Sequence, residues 1–135
     1  MSNAAQWRVE IKRQMEEQLG SVADAVQYVG IEAVKRIVQK SPVDTGRFKG
    51  NWFASIASPV ATQVTTVDPA GDETISRGQA VIAGYPEKTF PSIFIQNNLP
   101  YAERLESGYS SQAPGGMVGI TTVELAALWN AVKLP

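Results

Sequence analysis

From Ala5 to Gln39 the apolar residues Trp7, Ile11, Met15, Leu19, Val22, Val26, Val29, Ala33 and Ile37 recur every three or four positions, the spacing of one face of an α-helix. Glu10, Lys12, Arg13, Glu16, Glu17, Asp24, Lys35 and Arg36 fall mostly off that stripe, where a solvated face carries charge. The pattern predicts helix over residues 1–40. It is either one helix of roughly 50 Å or two segments meeting near Gly20, with Ser21 able to cap the second. Gly20 and Gly30 interrupt it, each at about 1 kcal/mol relative to alanine. A continuous helix of that length overhangs a domain of this size. Trp7, Ile11, Met15 and Leu19 then need cover from outside, which makes them a candidate intersubunit stripe. In the alternative, the chain breaks at Gly20 and the first segment folds back on its own domain.

Pro42 ends the helical pattern, because it has no N–H and restricts Ser41 away from the α region. Asp44 and Thr45 can bond the backbone two residues on, and Gly46 tolerates a positive φ, so residues 41–46 read as a tight turn. Beyond it, Asn51–Val60 and Ala61–Val67 are rich in β-branched and aromatic residues with Ser58-Pro59 between them, which predicts an antiparallel hairpin over 50–67. Residues 68–78 are polar and turn-rich and read as a loop, passing into a short helix through Gln79–Ala83. Ile93, Phe94 and Ile95, between Pro91 and Asn97-Asn98, predict a strand over 92–97 as a third member of the sheet. Pro100 suits the first turn of a short helix through Tyr101–Glu106, and Gly108 its C-terminal cap. Residues 107–116 read as a loop, and Thr121 or Thr122 as the cap of a closing helix over 121–133. The sum is one α+β domain spanning 1–135: a long N-terminal helix on a small, mostly antiparallel sheet, with short helices and a C-terminal helix.

Composition narrows the chemistry. A chain of 135 residues with 44% hydrophobic and 19% charged residues has the balance of a soluble, globular domain. Twelve basic against thirteen acidic residues give a formal charge of -1, so no global field draws in nucleic acid or an anionic membrane. No apolar run approaches the roughly 18 residues that suggest a membrane helix, and the start of the chain lacks the pattern of a secretory leader. Synthesis and use in a reducing cytosol are expected. The chain has no cysteine and no histidine, which removes the disulfide framework, the usual metal ligands and the commonest general base. No catalytic, cofactor or metal site is expected on that inventory.

Three constellations are candidates for chemistry. Asp44 with Arg47 and Lys49 reads as a phosphate or partner site, or as a turn-closing aspartate among solvated cations. Glu103 and Glu106 sit three apart on one helical face and read as paired carboxylates, or as surface salt-bridge partners. Trp52, Tyr85, Tyr101 and Tyr109 read as a base-stacking platform, or as core and loop anchors. In each case the structural reading is favoured, since nothing supplies a partner base or a strong positive field.

Three segments taken in order carry a family resemblance. Ser-Pro-Val-Asp-Thr-Gly-Arg-Phe-Lys-Gly-Asn-Trp at 41–52, Asn-Asn-Leu-Pro-Tyr-Ala-Glu-Arg-Leu-Glu-Ser-Gly-Tyr-Ser at 97–110 and Gln-Ala-Pro-Gly-Gly-Met-Val at 112–118 together resemble the tail-completion or neck-protein family of tailed bacteriophages and prophages. The resemblance runs from about residue 20 onward, and departs from the family pattern at Ser107, where an aromatic residue is more usual. The positions that match are Pro42, Asp44, Thr45, Gly46, Asn51, Trp52, Asn97, Asn98, Pro100, Tyr101, Ala102, Leu105, Glu106, Gly108, Gln112, Ala113, Pro114 and Met117. The resemblance implies a non-enzymatic virion component, made in the bacterial cytoplasm and placed at the head–tail junction in a ring of identical subunits. Its implied partners are copies of itself, in a hexameric ring, and other neck and tail proteins, with DNA only as the passing genome and no membrane. Loops 68–78 and 107–117 are then expected to order against neighbours. The competing expectation is a small nucleic-acid-binding module, with Arg47, Lys49, Arg77, Lys88 and Arg104 on one face.

Overall fold

The computed structural model describes residues 22–132. The predicted helix over residues 1–21, with its stripe of Trp7, Ile11, Met15 and Leu19 and the question of a break at Gly20, lies outside the described residues. Helix α1 spans Val22–Lys40, with Asp24 in its first turn and Lys40 in its last, both on the favourable side of the helix dipole. Its buried positions are Ala23, Gly30, Ala33, Val34, Ile37 and Val38, a stripe turned from the one periodicity picked out. Val22 is exposed, while Val26 and Val29 are half-buried. The stripe turns because α1 is packed from two sides. Gly30, an interruption in the sequence pattern, is a contact point: a Cβ there would lie 2.9 Å from Ile93 Cδ1, so the missing side chain lets sheet and helix close.

The sheet has two strands, β1 (Trp52–Ile56) and β2 (Ile93–Asn97), antiparallel with Trp52 opposite Asn97 and Ile56 opposite Ile93. The strand at 92–97 is where the pattern put it. The 50–67 hairpin is not formed: β1 pairs with β2, and the chain after Ile56 runs without regular structure from Ala57 to Gly71. Ala57 turns the chain at a φ of 75°, and Pro59 lacks a ladder donor. Side-chain amides then take over the pairing. Asn98 Nδ2 donates to Val60 and Thr62 carbonyls, Gln96 Oε1 accepts from Val60 N–H, and the buried Asn51 both donates to Val64 C=O and accepts from Val64 N–H.

Helix α2 spans Asp72–Ile82 and replaces most of the loop expected at 68–78. Its buried positions are Thr74, Gly78 and Ile82, a stripe of four-residue steps in which only one member is apolar, which hid it from a hydrophobicity pattern. It starts where Asp68 offers its carboxylate to the N–H groups of Gly71 and Thr74 and to the Thr74 hydroxyl, at 3.1, 2.8 and 2.7 Å. Burial opposes the Asp68 charge, but the Thr74 and Gly71 bonds and the nearby Arg77 outweigh it and hold its pKa below the ordinary aspartate value. Helix α3 spans Ala102–Glu106 and is followed by Gly108 at a φ of 89°. Helix α4 spans Val118–Val132 and begins ahead of both threonines expected to cap it. It is tied to α1 by Lys40 Nζ on Glu124 Oε1 at 2.7 Å, with Arg36 at 3.5 Å.

The core is Val34, Ile37, Val38, Phe48, Trp52, Ile82, Leu99, Ala113 and Met117, which draws one or more residues from α1, the corner, β1, α2 and the loop before α4. An α+β fold with α1 packed on a small antiparallel sheet is therefore the architecture. Ile82 is fully buried at the end of α2 and Val123 is largely exposed on α4. Ile82→Ala is expected to lower unfolding free energy by about 2–5 kcal/mol, and Val123→Ala to change it by less than about 0.5 kcal/mol, both read from urea unfolding curves.

Candidate functional site

The chain turns between α1 and β1 through residues 41–51, and its anchors are buried. Trp52 Nε1 donates to Ser41 Oγ at 2.7 Å, and the same hydroxyl donates to Ile37 C=O at 2.8 Å, so one serine joins the last turn of α1 to the first residue of β1. Phe48 sets its ring edge-on to Trp52, with centroids 5.8 Å apart, and lies 6.0 Å from the Tyr101 ring. A 3₁₀ turn, Lys49–Asn51, completes the approach to the strand. Gly46 is at a φ of 96°, and a Cβ there would stand 2.6 Å from Pro69 N; its carbonyl accepts from both Gly50 and Asp68 N–H at 3.0 Å. Glycine is thus required for conformation and for space.

The predicted turn chemistry divides between the two residues proposed for it. Thr45 Oγ1 accepts from Arg47 N–H at 3.2 Å, as expected. Asp44 does not close the turn: its side chain is exposed and makes no hydrogen bond or ion pair among the described residues. A carboxylate pointing into water has more to gain from hydration than from a strained local bond.

The second and third motif segments close on this corner. Asn97 Nδ2 donates to Phe48 C=O at 2.9 Å, and Gln112 grips Val43 at both ends of its amide, accepting from Val43 N–H and donating to Val43 C=O, each at 2.8 Å. Gln112 therefore stands in for one rung of a β-ladder. Between the corner and residues 109–112 lies a cleft of about 420 Å³, bordered by Asp44, Thr45, Tyr101, Leu105, Tyr109 and Ser111. Arg104 lies over the exposed Tyr109 ring, 5.2 Å from its centroid.

Glu106 has a defined role that spacing alone did not reveal. Its carboxylate accepts from Met117 and Val118 N–H at 2.8 Å through Oε1 and from Gly119 N–H at 2.9 Å through Oε2, capping α4 from the end of α3. The two expected caps do other things: Thr122 bonds back to Val118 C=O, and Thr121 Oγ1 is buried with no partner. Burial pushes the Glu106 pKa up, yet the three backbone bonds together outweigh it, so the group sits below the ordinary glutamate value. Both Glu106 oxygens are engaged by backbone donors of α4, a structural role separate from any pairing with Glu103.

The five cations proposed for nucleic acid serve unequal ends. Arg77 Nη2 donates to Gly50 and Trp52 carbonyls at 3.0 and 2.8 Å, its guanidinium lies 4.0 Å from the Phe53 centroid, and its Nε is buried without a partner. Burial lowers its pKa, against the pull of Asp68. Arg47 Nε reaches Val64 C=O, and Lys49 is buried with its stem beside Gly71. Of the five, only Arg47 and Arg77 are tied by side-chain hydrogen bonds, while Lys49, Lys88 and Arg104 make no side-chain hydrogen bond or ion pair among the described residues. Trp52 is buried, so the four-ring stacking platform is also not assembled.

Of the positions matched to the phage family, the structure gathers Pro42, Gly46, Asn51, Trp52, Asn97, Tyr101, Leu105, Gln112 and Met117 around the corner and core. Asn98 works at a distance, on the 60–62 segment, and Pro114 supplies the carbonyl that Gly108 closely approaches. Ser41, Asp68 and Gln96 were missed; Ser41 and Asp68 are short polar residues close to a helix end, where such side chains bond backbone, whereas Gln96 lies within β2 and no local pattern marks its bond to Val60. Comparison with protein-family models, curated proteins and solved structures found no match for this chain.

Two outcomes follow. Gly46→Val is expected to cost at least about 1–3 kcal/mol, whereas Asp44→Asn leaves stability within about 0.5 kcal/mol, compared by thermal unfolding. For Glu106 the folded pKa is depressed, so its contribution is complete above the ordinary value of 4.5 and is lost as pH falls through the lower folded value. Glu106→Gln is expected to lower stability at pH 7 by about 1–3 kcal/mol and to flatten the pH dependence of stability below 4.5, measured by denaturant midpoints across that range.

Proposed function

We propose that this protein is a non-enzymatic structural component of a tailed phage or prophage particle, completing the tail or joining it to the head connector as one subunit of a hexameric ring. The observation that carries the reading is the meeting of the resembling segments. Residues 41–52 lie far in sequence from the neighbouring segments 97–110 and 112–118, yet Gln112 clasps Val43 and Asn97 holds Phe48, while Glu106 joins the two later segments by capping the helix that starts at Val118. A motif set that shares one buried corner is what a common fold needs, and it explains the resemblance without invoking a catalytic centre.

Among the described residues there is no group of three or more histidine, cysteine, aspartate or glutamate side chains placed to hold a metal. No helix among them is long and apolar enough to cross a membrane. The cleft over the corner presents an unbonded Asp44 and an exposed Tyr109 stacked by Arg104, a mixed polar and aromatic rim of the kind protein partners use.

The test is genetic and structural. Deleting the gene from the phage or prophage that carries it is expected to leave heads and tails unjoined or tails incomplete, and the reconstructed wild-type particle should hold this fold at the head–tail junction. Infectious particles of normal form without the protein would overturn the reading.

A further inference from the structure

Among the described residues the backbone leaves two edges open, and they complement one another. Ala57 N–H donates to Ser92 C=O at 2.8 Å, so in the alternating antiparallel pattern the pairs Phe53–Gln96 and Ser55–Phe94 exchange backbone bonds. The pairs Trp52–Asn97, Ala54–Ile95 and Ile56–Ile93 then turn their N–H and C=O groups outward. On the β1 side this edge is guarded, since Arg77 occupies the Trp52 carbonyl. On the β2 side no hydrogen bond from a described residue reaches the outward groups of Ile93 or Ile95. Beside that open edge, between β2, α1 and α4, lies an apolar groove of about 450 Å³ walled by Val26, Val29, Ile93, Ile95, Leu125 and Trp129.

The other edge is the segment 60–66. Its even-numbered residues are held by side-chain amides: Asn98 takes the Val60 and Thr62 carbonyls, and Asn51 takes Val64 at both ends. Its odd-numbered residues, Ala61, Gln63 and Thr65, are exposed, and among the described residues nothing bonds their backbone N–H and C=O groups. A chain satisfied at every second residue on one side only has the periodicity of an edge strand. Residues 60–67 are also rich in β-branched side chains and contain no charge, and β2 contains none either. Soluble proteins usually protect exposed edges with lysine, proline or a bulge, and both of these edges lack such protection along their length.

We infer that the open edge of β2 receives residues 61–65 of a second copy of this chain as an added strand, so that neighbouring subunits share a continuous three-stranded sheet. One subunit gives the segment and the other gives the edge, so the contact is heterologous, the type that builds a ring where the rotation between subunits closes. It also accounts for strand-forming residues that make no strand within their own subunit. The inference rests on the self-associating part of the proposed function and on nothing about virions.

Thr65→Pro removes an N–H that the joint uses and that the single subunit leaves unbonded, while Thr66→Pro, one residue out of phase, removes one that faces the other way. In sedimentation or mass photometry across a concentration series, the parent and Thr66→Pro are expected to associate alike. Thr65→Pro should lose about tenfold or more in association constant, the worth of one or two backbone bonds, with circular dichroism and melting unchanged. Amide exchange at Ile93 and Ile95 should slow by about tenfold or more on association in the parent. Normal association of Thr65→Pro, equal loss in Thr66→Pro, unchanged exchange at Ile93 and Ile95, or a parent that stays monomeric at millimolar concentration each overturns the joint. A failed joint in a protein still found at the head–tail junction leaves the functional reading standing, and a working joint in a protein absent from particles does the reverse.

Discussion

The buried contact between Trp52 and Ser41 is the constraint on which the other elements depend. An indole N–H and a serine hydroxyl removed from water each require a partner, and here each has one: the indole finds the hydroxyl and the hydroxyl finds Ile37 C=O. The relay fixes the angle at which β1 leaves α1. Once that angle is set, β1 presents its inner face to α1, β2 can pair with it, and the Phe48 ring has both Trp52 and Tyr101 to lean on. Removing either partner would leave the other polar group stranded in an apolar core, which costs more than the net worth of a hydrogen bond.

Helix termini in this fold are served from a distance. Asp68 caps α2 from four residues upstream, and Glu106 caps α4 from the end of the preceding helix. Both carboxylates stay ionised below their ordinary pKa because N–H donors surround the charge. The effect is to lock consecutive elements together: α3 cannot move without uncapping α4, and the 69–71 turn cannot open without uncapping α2. The loop before α4, rich in glycine and proline, is thereby held at both ends, by Glu106 on one side and by Gln112 on Val43 on the other.

How much of this was legible in the sequence follows from which physical signal each element carries. The described part of the first helix, the 92–97 strand and the short helix after Pro100 were readable because apolar periodicity or proline and glycine punctuation marks them directly. The partner of β1 was not. Residues 61–67 have strand composition and lie nearest in sequence, but Ala57 and Pro59 turn the chain away, and the distant β2 wins the backbone pairing. Helix α2 was hidden because its buried stripe contains Thr74 and Gly78, which hydropathy does not count as core. At the corner, spacing located Gly46 and Trp52 but overvalued Asp44, whose exposed carboxylate bonds nothing among the described residues. The capping role of Glu106 depends on a contact with residues 117–119 that no local pattern encodes.

The side-chain amides that hold residues 60–64 give this stretch an unusual kind of inheritance. In a backbone ladder the bonding groups are common to all residues except proline, so the path of a strand survives most changes of sequence. Here the path is written in Asn51, Gln96 and Asn98, three side chains that lie outside the segment they hold. Their amides are also chemically perishable: hydrolysis of Asn98 to aspartate would set a carboxylate against the carbonyls of Val60 and Thr62, turning attraction into repulsion. The course of this segment is therefore subject to ageing of the molecule as well as to mutation, while the ladder between β1 and β2 is not.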